Sequence, residues 1–181
     1  MFVFLCLICI GLVAAVLMYN AFVRQNALVR EAWSGIDVLL KRRYELIPNL
    51  VATVKDYKAF ESGTLEKVTQ MRNQATHAEG AAARGEAEKG VAGALAHVFV
   101  LAENYPDLKA NETYKKLQEQ LVEVEDQLQY ARRYYNGAVR DMNIKVQSFP
   151  SNLIAKSFGF KEAEYFQLES DAERSVPKVG L

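Results

Sequence analysis

The chain has 181 residues, half of them hydrophobic, with 22 basic and 22 acidic side chains and a formal charge of zero. That length fits one domain, and the charge balance excludes the concentrated basic face that nucleic acid requires. Residues 24–78 hold nine basic and six acidic side chains and residues 79–147 nine and eleven, an asymmetry too small to imply such a partner.

The chain opens with MFVFLCLICIGLVAAVLM, an uninterrupted apolar run extended past Tyr19 and Asn20 by Ala21, Phe22 and Val23. At about 1.5 Å per residue, twenty such residues cross a hydrocarbon layer of roughly 30 Å, and a helix satisfies its own backbone there. Residues 1–23 are therefore predicted to form a transmembrane helix, with Tyr19 in the interfacial aromatic belt. A cleaved signal needs a basic start, a shorter core and a small-residue cleavage site; no basic side chain precedes Arg24 and no A-x-A follows the core, so the span reads as retained. Cys6 and Cys9 lie inside it, where CLIC lacks the further ligands and aqueous setting of a metal or redox site. Arg24, Arg30, Lys41, Arg42 and Arg43 all follow the span. The positive-inside rule then places the N-terminus outside and the C-terminal body in the cytoplasm.

Residues 24–160 are predicted to form a helical bundle. Ala32, Ile36, Leu39, Ile47, Leu50, Val54, Tyr57, Leu65, Val68 and Met71 recur at helical spacing. A second stripe, Trp33, Leu40, Tyr44 and Val51, widens that face. The spacing predicts one long helix over 24–76, kinked at Pro48 and weak at Ser62-Gly63. HAEGAAARGEAEKG follows; its scarcity of large apolar groups predicts a flexible connector over 77–87. Val91, Leu95, Val98, Leu101 and Ala102 predict a helix over 88–104. NYPDLKAN reads as a turn, with Pro106 disfavouring helix at Tyr105, and Asn111 and Glu112 as cap and first-turn acid of the next helix.

That helix, 111–147, has the most regular pattern. Tyr114, Leu117, Leu121, Val124, Leu128, Ala131, Tyr135, Ala138 and Met142 alternate steps of three and four, a heptad seam about four repeats long. It implies coiled-coil packing against either the chain's own first helix or another copy; packing within one subunit is the simpler arrangement. A short amphipathic helix is expected over 150–158, with Pro150 in its first turn and Gly159 ending it. In the tail, 161–181, Phe166 joins Phe149, Phe158 and Phe160 as side chains expected to cover the bundle's end or side.

An apolar span followed by AWSGIDVLLKRRYELIPNLVATVKDY, AENYPDLKAN and RRYYNGAVRDMNIKVQSFPSNLIAKSFGF resembles the LemA family of bacterial membrane proteins. The likeness covers nearly the whole chain, with every block in order. It implies a membrane-anchored antiparallel helical bundle with a role in the cell envelope, some members being associated with membrane proteases or membrane remodelling. The family defines no catalytic residues to carry over.

Pro48 removes a backbone donor and crowds the carbonyl of Tyr44, at about 3 kcal/mol in a helix interior. Such a bend either lets the helix wrap its partner or exposes Arg42, Arg43, Glu45, Pro48 and Asn49 as a contact surface. Arg132 and Arg133, which could lie antiparallel beside them, complete the candidate set. Pairing with Glu45, Glu125 or Asp141 is the simpler account of these arginines. Lipid headgroups suit Lys41–Arg43 poorly, since a continuous helix holds them about 27 Å beyond residue 23. His77 and His97 lack metal-ligand spacing, and there is no nucleophile elbow or phosphate loop. No cofactor and no catalytic or metal residue is expected. The all-α chain is thus expected to be a non-enzymatic scaffold or adaptor acting through helix faces. Its expected partners are the lipid bilayer, a homo-oligomer and other envelope membrane proteins; the alternative is an accessory subunit of an envelope enzyme such as a membrane protease.

Overall fold

A computed structural model describes residues 1–57 and 61–166. The described residues form six helices and no strand: α1 (Phe2–Lys55), α2 (Ser62–His77), α3 (Ala81–Ala102), α4 (Pro106–Ala110), α5 (Glu112–Gln147) and α6 (Ser151–Phe158). The all-α expectation holds. The described residues divide into two compact units, one of residues 1–40 and 126–165, the other of residues 41–57 and 61–125 with Phe166. Both long helices, α1 and α5, contribute to each.

In the first unit, none of residues 1–20 is buried, and α1 is long and apolar enough to cross a membrane. From Phe22 onward α1 packs on α5. Phe22, Val29, Ala32, Ile36 and Leu40 are buried from one helix; Leu128, Tyr135, Ala138 and Met142 are buried from the other. Gln25 occupies a core position on this face, and its amide is satisfied there. Gln25 Nε2 donates to the Ala138 carbonyl at 2.9 Å, and Lys145 Nζ donates to Gln25 Oε1 at 2.9 Å. Trp33 meets Tyr135 with ring centroids 5.4 Å apart, so the two helices run antiparallel.

The end of this unit is built by caps and clamps. Pro150 immediately precedes α6, and Gly159 ends it as expected. At φ 74° and ψ 21°, Gly159 takes a left-handed conformation that a Cβ would penalise. It lets the amides of Gly159 and Phe160 both turn back to the Ala155 carbonyl. The segment beyond is held by Asn143. Its Nδ2 donates to the Ala163 carbonyl at 3.0 Å and its Oδ1 accepts from the Ala163 amide at 2.8 Å; the Tyr135 hydroxyl donates to the Glu164 carbonyl at 2.9 Å. Phe160 stacks on Phe22, whereas Phe149 and Phe158, also expected to be covered, are 80% and 60% exposed; Phe166, which belongs to the other unit, is buried.

In the second unit, the single helix expected over 24–76 is two helices. α1 passes through Pro48 and ends at Lys55; α2 starts at Ser62 and returns antiparallel, because both apolar stripes need a partner. A straight continuation would leave Ile47, Leu50 and Val54 uncovered; folding back packs them with Leu65, Val68 and Ala75 in one core. Ser62 and Gly63 fall in the first turn of α2, where amides have no intrahelical acceptor to lose. Lys58–Phe60 of the expected helix lie outside the described residues.

The expected connector over 77–87 is corrected too: α3 begins at Ala81. Alanine is the best helix former, and the small residues Ala81 and Gly85 bury on the same side as Glu88 and Val91. Close approach of backbones replaces the large apolar groups whose scarcity suggested disorder. At Gly90 an added Cβ would come within 2.8 Å of Met71 Sδ, which records how near α2 and α3 lie. The turn expected at 104–111 contains a helix, α4, with Pro106 at its start; Tyr105 stays non-helical at φ −122° and ψ 84°. Asn111 caps α5, its Oδ1 accepting from the Tyr114 amide at 3.1 Å. Tyr114, Leu117, Leu121 and Val124 of the heptad seam are buried within this unit.

Candidate functional site: a buried ionic junction

Two adjacent residues of α1, Arg43 and Tyr44, tie three other helices to it. Arg43 follows Leu40 by three and precedes Ile47 by four, so helix geometry puts it on the core face, where it is 2% exposed. Its Nη1 lies 3.1 Å from Glu88 Oε2 on α3 and 2.9 Å from Glu125 Oε2 on α5. Glu88 is fully buried, while Glu125 retains partial contact with solvent. The Tyr44 hydroxyl donates to the other oxygen of Glu88. One buried carboxylate therefore accepts from both a guanidinium and a phenol, the arrangement that offsets the large desolvation of a buried charge.

The backbone of Tyr44 supplies the third tie. In an unbroken helix its carbonyl would accept from the amide four residues on, but that residue is Pro48, which has none. Arg72 Nε on α2 donates to it instead, at 2.8 Å. The proline inside α1 thus frees an acceptor that the neighbouring helix uses.

Burial first, then the negative charge and hydrogen bond of Glu88, hold the Tyr44 phenol far above its ordinary value of 10.0. It serves as a hydrogen-bond donor to the Glu88 carboxylate. A cavity of about 880 Å³ lies along α1 and α2, between Val51, Lys55 and Tyr57 on one side and Ser62–His77 on the other. Its lining contains none of Arg43, Tyr44 or Glu88. Among the described residues, no three His, Cys, Asp or Glu side chains gather as metal ligands.

The residues singled out from sequence separate. Arg43 is interior. Arg42 is partly exposed and faces Glu123 at 3.4 Å. Glu45, Pro48 and Asn49 are exposed on α1. In the other unit Arg132 is buried. Arg133 is exposed, with its guanidinium 4.7 Å from the Tyr130 ring centre. Sequence reasoning missed Glu88, Gln25 and Asn143. Each sits in register with buried apolar neighbours (Glu88 three residues before Val91, Gln25 three after Phe22, Asn143 beside Met142), and that register was the available signal.

These features define a class: an all-α chain with one helix long and apolar enough to span a membrane, leading into antiparallel helices fastened by buried polar ties. The LemA family model matches residues 32–180, and the chain belongs to the LemA family. Among relatives, it is 29% identical over 185 residues to magnetosome protein MamQ 2 of Paramagnetospirillum magneticum, covering 87% of this chain and 68% of that protein. It is 25% identical to magnetosome protein MamQ of Magnetospirillum gryphiswaldense, covering 82% and 64%. Protein LemA of Metamycoplasma hominis is 29% identical, covering 86% and 71%.

Proposed function

We propose that this chain is a membrane-anchored, non-enzymatic scaffold that works through exposed helix faces, as a homo-oligomer in a bacterial inner membrane. One observation carries the reading: α1 is a single helix whose residues up to Met18 are unburied and apolar and whose later residues are packed against other helices. Such an element tethers and presents. The ionisable groups inside the second unit are engaged with one another, and the relatives' names, magnetosome protein and LemA, denote no reaction.

The heptad seam of α5 is occupied within the chain, so contacts to other copies fall on other faces. On α1 of the second unit these are Arg42, Glu45, Pro48 and Asn49. On α5 of the first unit they are Tyr130, Arg133 and Tyr134, with the tyrosines 69% and 55% exposed. Exposed tyrosine and arginine are the residue types that dominate interface energetics.

Cross-linking in intact membranes tests the reading. A uniform ladder of this chain, lost in a Tyr130→Ser/Tyr134→Ser variant that still folds, is the expected result. A one-to-one product with a different polypeptide would make the chain an accessory subunit instead. The orientation, with the body in the cytoplasm, predicts that protease added outside spheroplasts leaves residues 24–181 intact.

A further inference from the structure

The apolar side chains of α6 and the turn before it point to solvent beside the membrane-spanning segment. Phe149 is 80% exposed, Leu153 55% and Phe158 60%. Single exposed apolar side chains need no explanation, but these three lie together on one short amphipathic helix and its approach. Their position along α1 is fixed at two places. Near the end of α6, Phe158 and Phe160 meet Tyr19 with ring centroids 4.8 and 5.8 Å apart, and Phe160 stacks on Phe22 at 4.8 Å. Near its start, Ser151 Oγ donates to the Lys145 carbonyl at 2.7 Å, and Lys145 in turn reaches Gln25. Tyr19 and Gln25 are six residues apart, about 9 Å along the helix axis. The end of α6 thus meets the last residues of the apolar run, and its start is tied through Lys145 to Gln25, two residues past that run.

We infer that α6 with Phe149 is an interfacial foot that rests on the phospholipid bilayer entered by α1. The proposal rests on the bilayer reading of α1. The occupant follows from continuity: a side chain at the level of Tyr19 on a spanning helix faces the headgroup region, into which the apolar face of an interfacial helix sinks about 5–10 Å. Phe149, Leu153 and Phe158 enter the acyl boundary. Exposed Lys156 and Lys161 stay at the level of lipid phosphates, with their stems along the apolar surface. The foot holds the first unit against the membrane instead of letting it swing on a single helix.

The test uses the full chain reconstituted into vesicles of brominated or ordinary phosphatidylcholine. Bromine quenches a tryptophan that touches acyl chains. The one native tryptophan, Trp33, lies fourteen residues past Tyr19, about 21 Å along the helix, and serves as the unquenched background. Single probes are placed at exposed positions that tolerate substitution: Leu153→Trp, Phe149→Trp and, within the span, Leu12→Trp. The expected result is that all three added tryptophans lose most of their emission in brominated vesicles while the parent loses little. If Leu12→Trp is quenched but the other two behave like Trp33, the foot is refuted and the anchor stands. Blue-shifted but unquenched emission at 149 and 153 means that protein, such as a second copy, covers the face, and also refutes it. An unquenched Leu12→Trp removes the anchor and the foot together.

Discussion

Arg72 Nε donates to the carbonyl of Tyr44 at 2.8 Å, filling the place that Pro48 leaves empty one helical turn away. Proline in a helix interior costs about 3 kcal/mol in isolation, partly because it strands an acceptor. Here the stranded acceptor is the point at which α2 is fastened to α1. The two residues are therefore coupled although they lie on different helices and do not share a bond.

A double-mutant cycle measures that coupling. Arg72→Met keeps the stem and removes the donor; with Pro48 present it leaves the Tyr44 carbonyl without a partner, a loss of about 1–3 kcal/mol. In a Pro48→Ala background the alanine amide takes the carbonyl back, and the same change at Arg72 costs much less. Urea unfolding of the four proteins is expected to give a coupling of about 1 kcal/mol or more. Additivity within about 0.5 kcal/mol would show that the bond does no energetic work.

The ionic junction predicts an asymmetry between single and combined substitutions. Glu88→Leu leaves the interior Arg43 with only the partly exposed Glu125 and takes the acceptor from Tyr44, so a loss of about 3–5 kcal/mol is expected. Replacing the buried members together, Arg43→Met with Tyr44→Phe and Glu88→Leu, removes the buried guanidinium, phenol and carboxylate at once, leaves only the partly exposed Glu125 to solvent, and recovers most of it. Thermal unfolding should rank the proteins parent, triple variant, single variant. A triple variant no better than the single one means that the cluster's shape, not its charge pairing, holds the helices.

How much of this was legible in the sequence depends on what hydropathy counts. The seam of α5 is readable because Tyr114, Leu117, Leu121, Val124 and Leu128 are large, apolar and evenly spaced, and all five are buried. Gly159 and Asn111 were readable because their conformational and capping roles are local. The burial of Glu88 and of Arg43, which was singled out as a surface residue, was not, because a charged residue scores as surface whatever its register, and only a partner on another helix makes its burial tolerable. Residues 81–87 misread for the opposite reason. Their small side chains bring little area of their own, and they are helical because a close neighbour, α2, exists to receive them. The fold-back after Lys55 was hidden by the identical spacing of the apolar stripes on either side of it.

The glycines of α3 offer a test of that close approach. Gly93 is exposed, with nothing within 4 Å of where a Cβ would sit. Gly93→Ala is therefore expected to stabilise the chain by about 0.5–1 kcal/mol through helix propensity alone. Gly90→Ala gains the same propensity but must push Met71 Sδ aside from 2.8 Å. Since that sulfur ends a flexible side chain, the net effect is expected near zero, and Gly90→Leu should be plainly destabilising. Equal stabilisation from both alanines would mean that α2 and α3 are not in close contact there.

Alkaline pH probes the junction from the side of Tyr44. Burial, followed by the Glu88 charge and hydrogen bond, raises this phenol above its unfolded value of 10.0. Burial, with Glu103 and Glu164 respectively, raises Tyr114 and Tyr135 in the same direction. A raised value means that above pH 10 the unfolded chain gives up protons that the folded chain keeps. The stabilisation from these phenols is whole below that pH and is lost as pH rises past it. Denaturant unfolding of the detergent-solubilised chain should thus show a midpoint that falls above pH 10. Tyr44→Phe should make that fall shallower, leaving the part due to Tyr114 and Tyr135. In the folded parent, phenolate absorbance should show Tyr44, Tyr114 and Tyr135 keeping their protons past pH 10. If Tyr44→Phe leaves the slope unchanged, the Tyr44 hydroxyl is open to water and does not donate to a buried carboxylate.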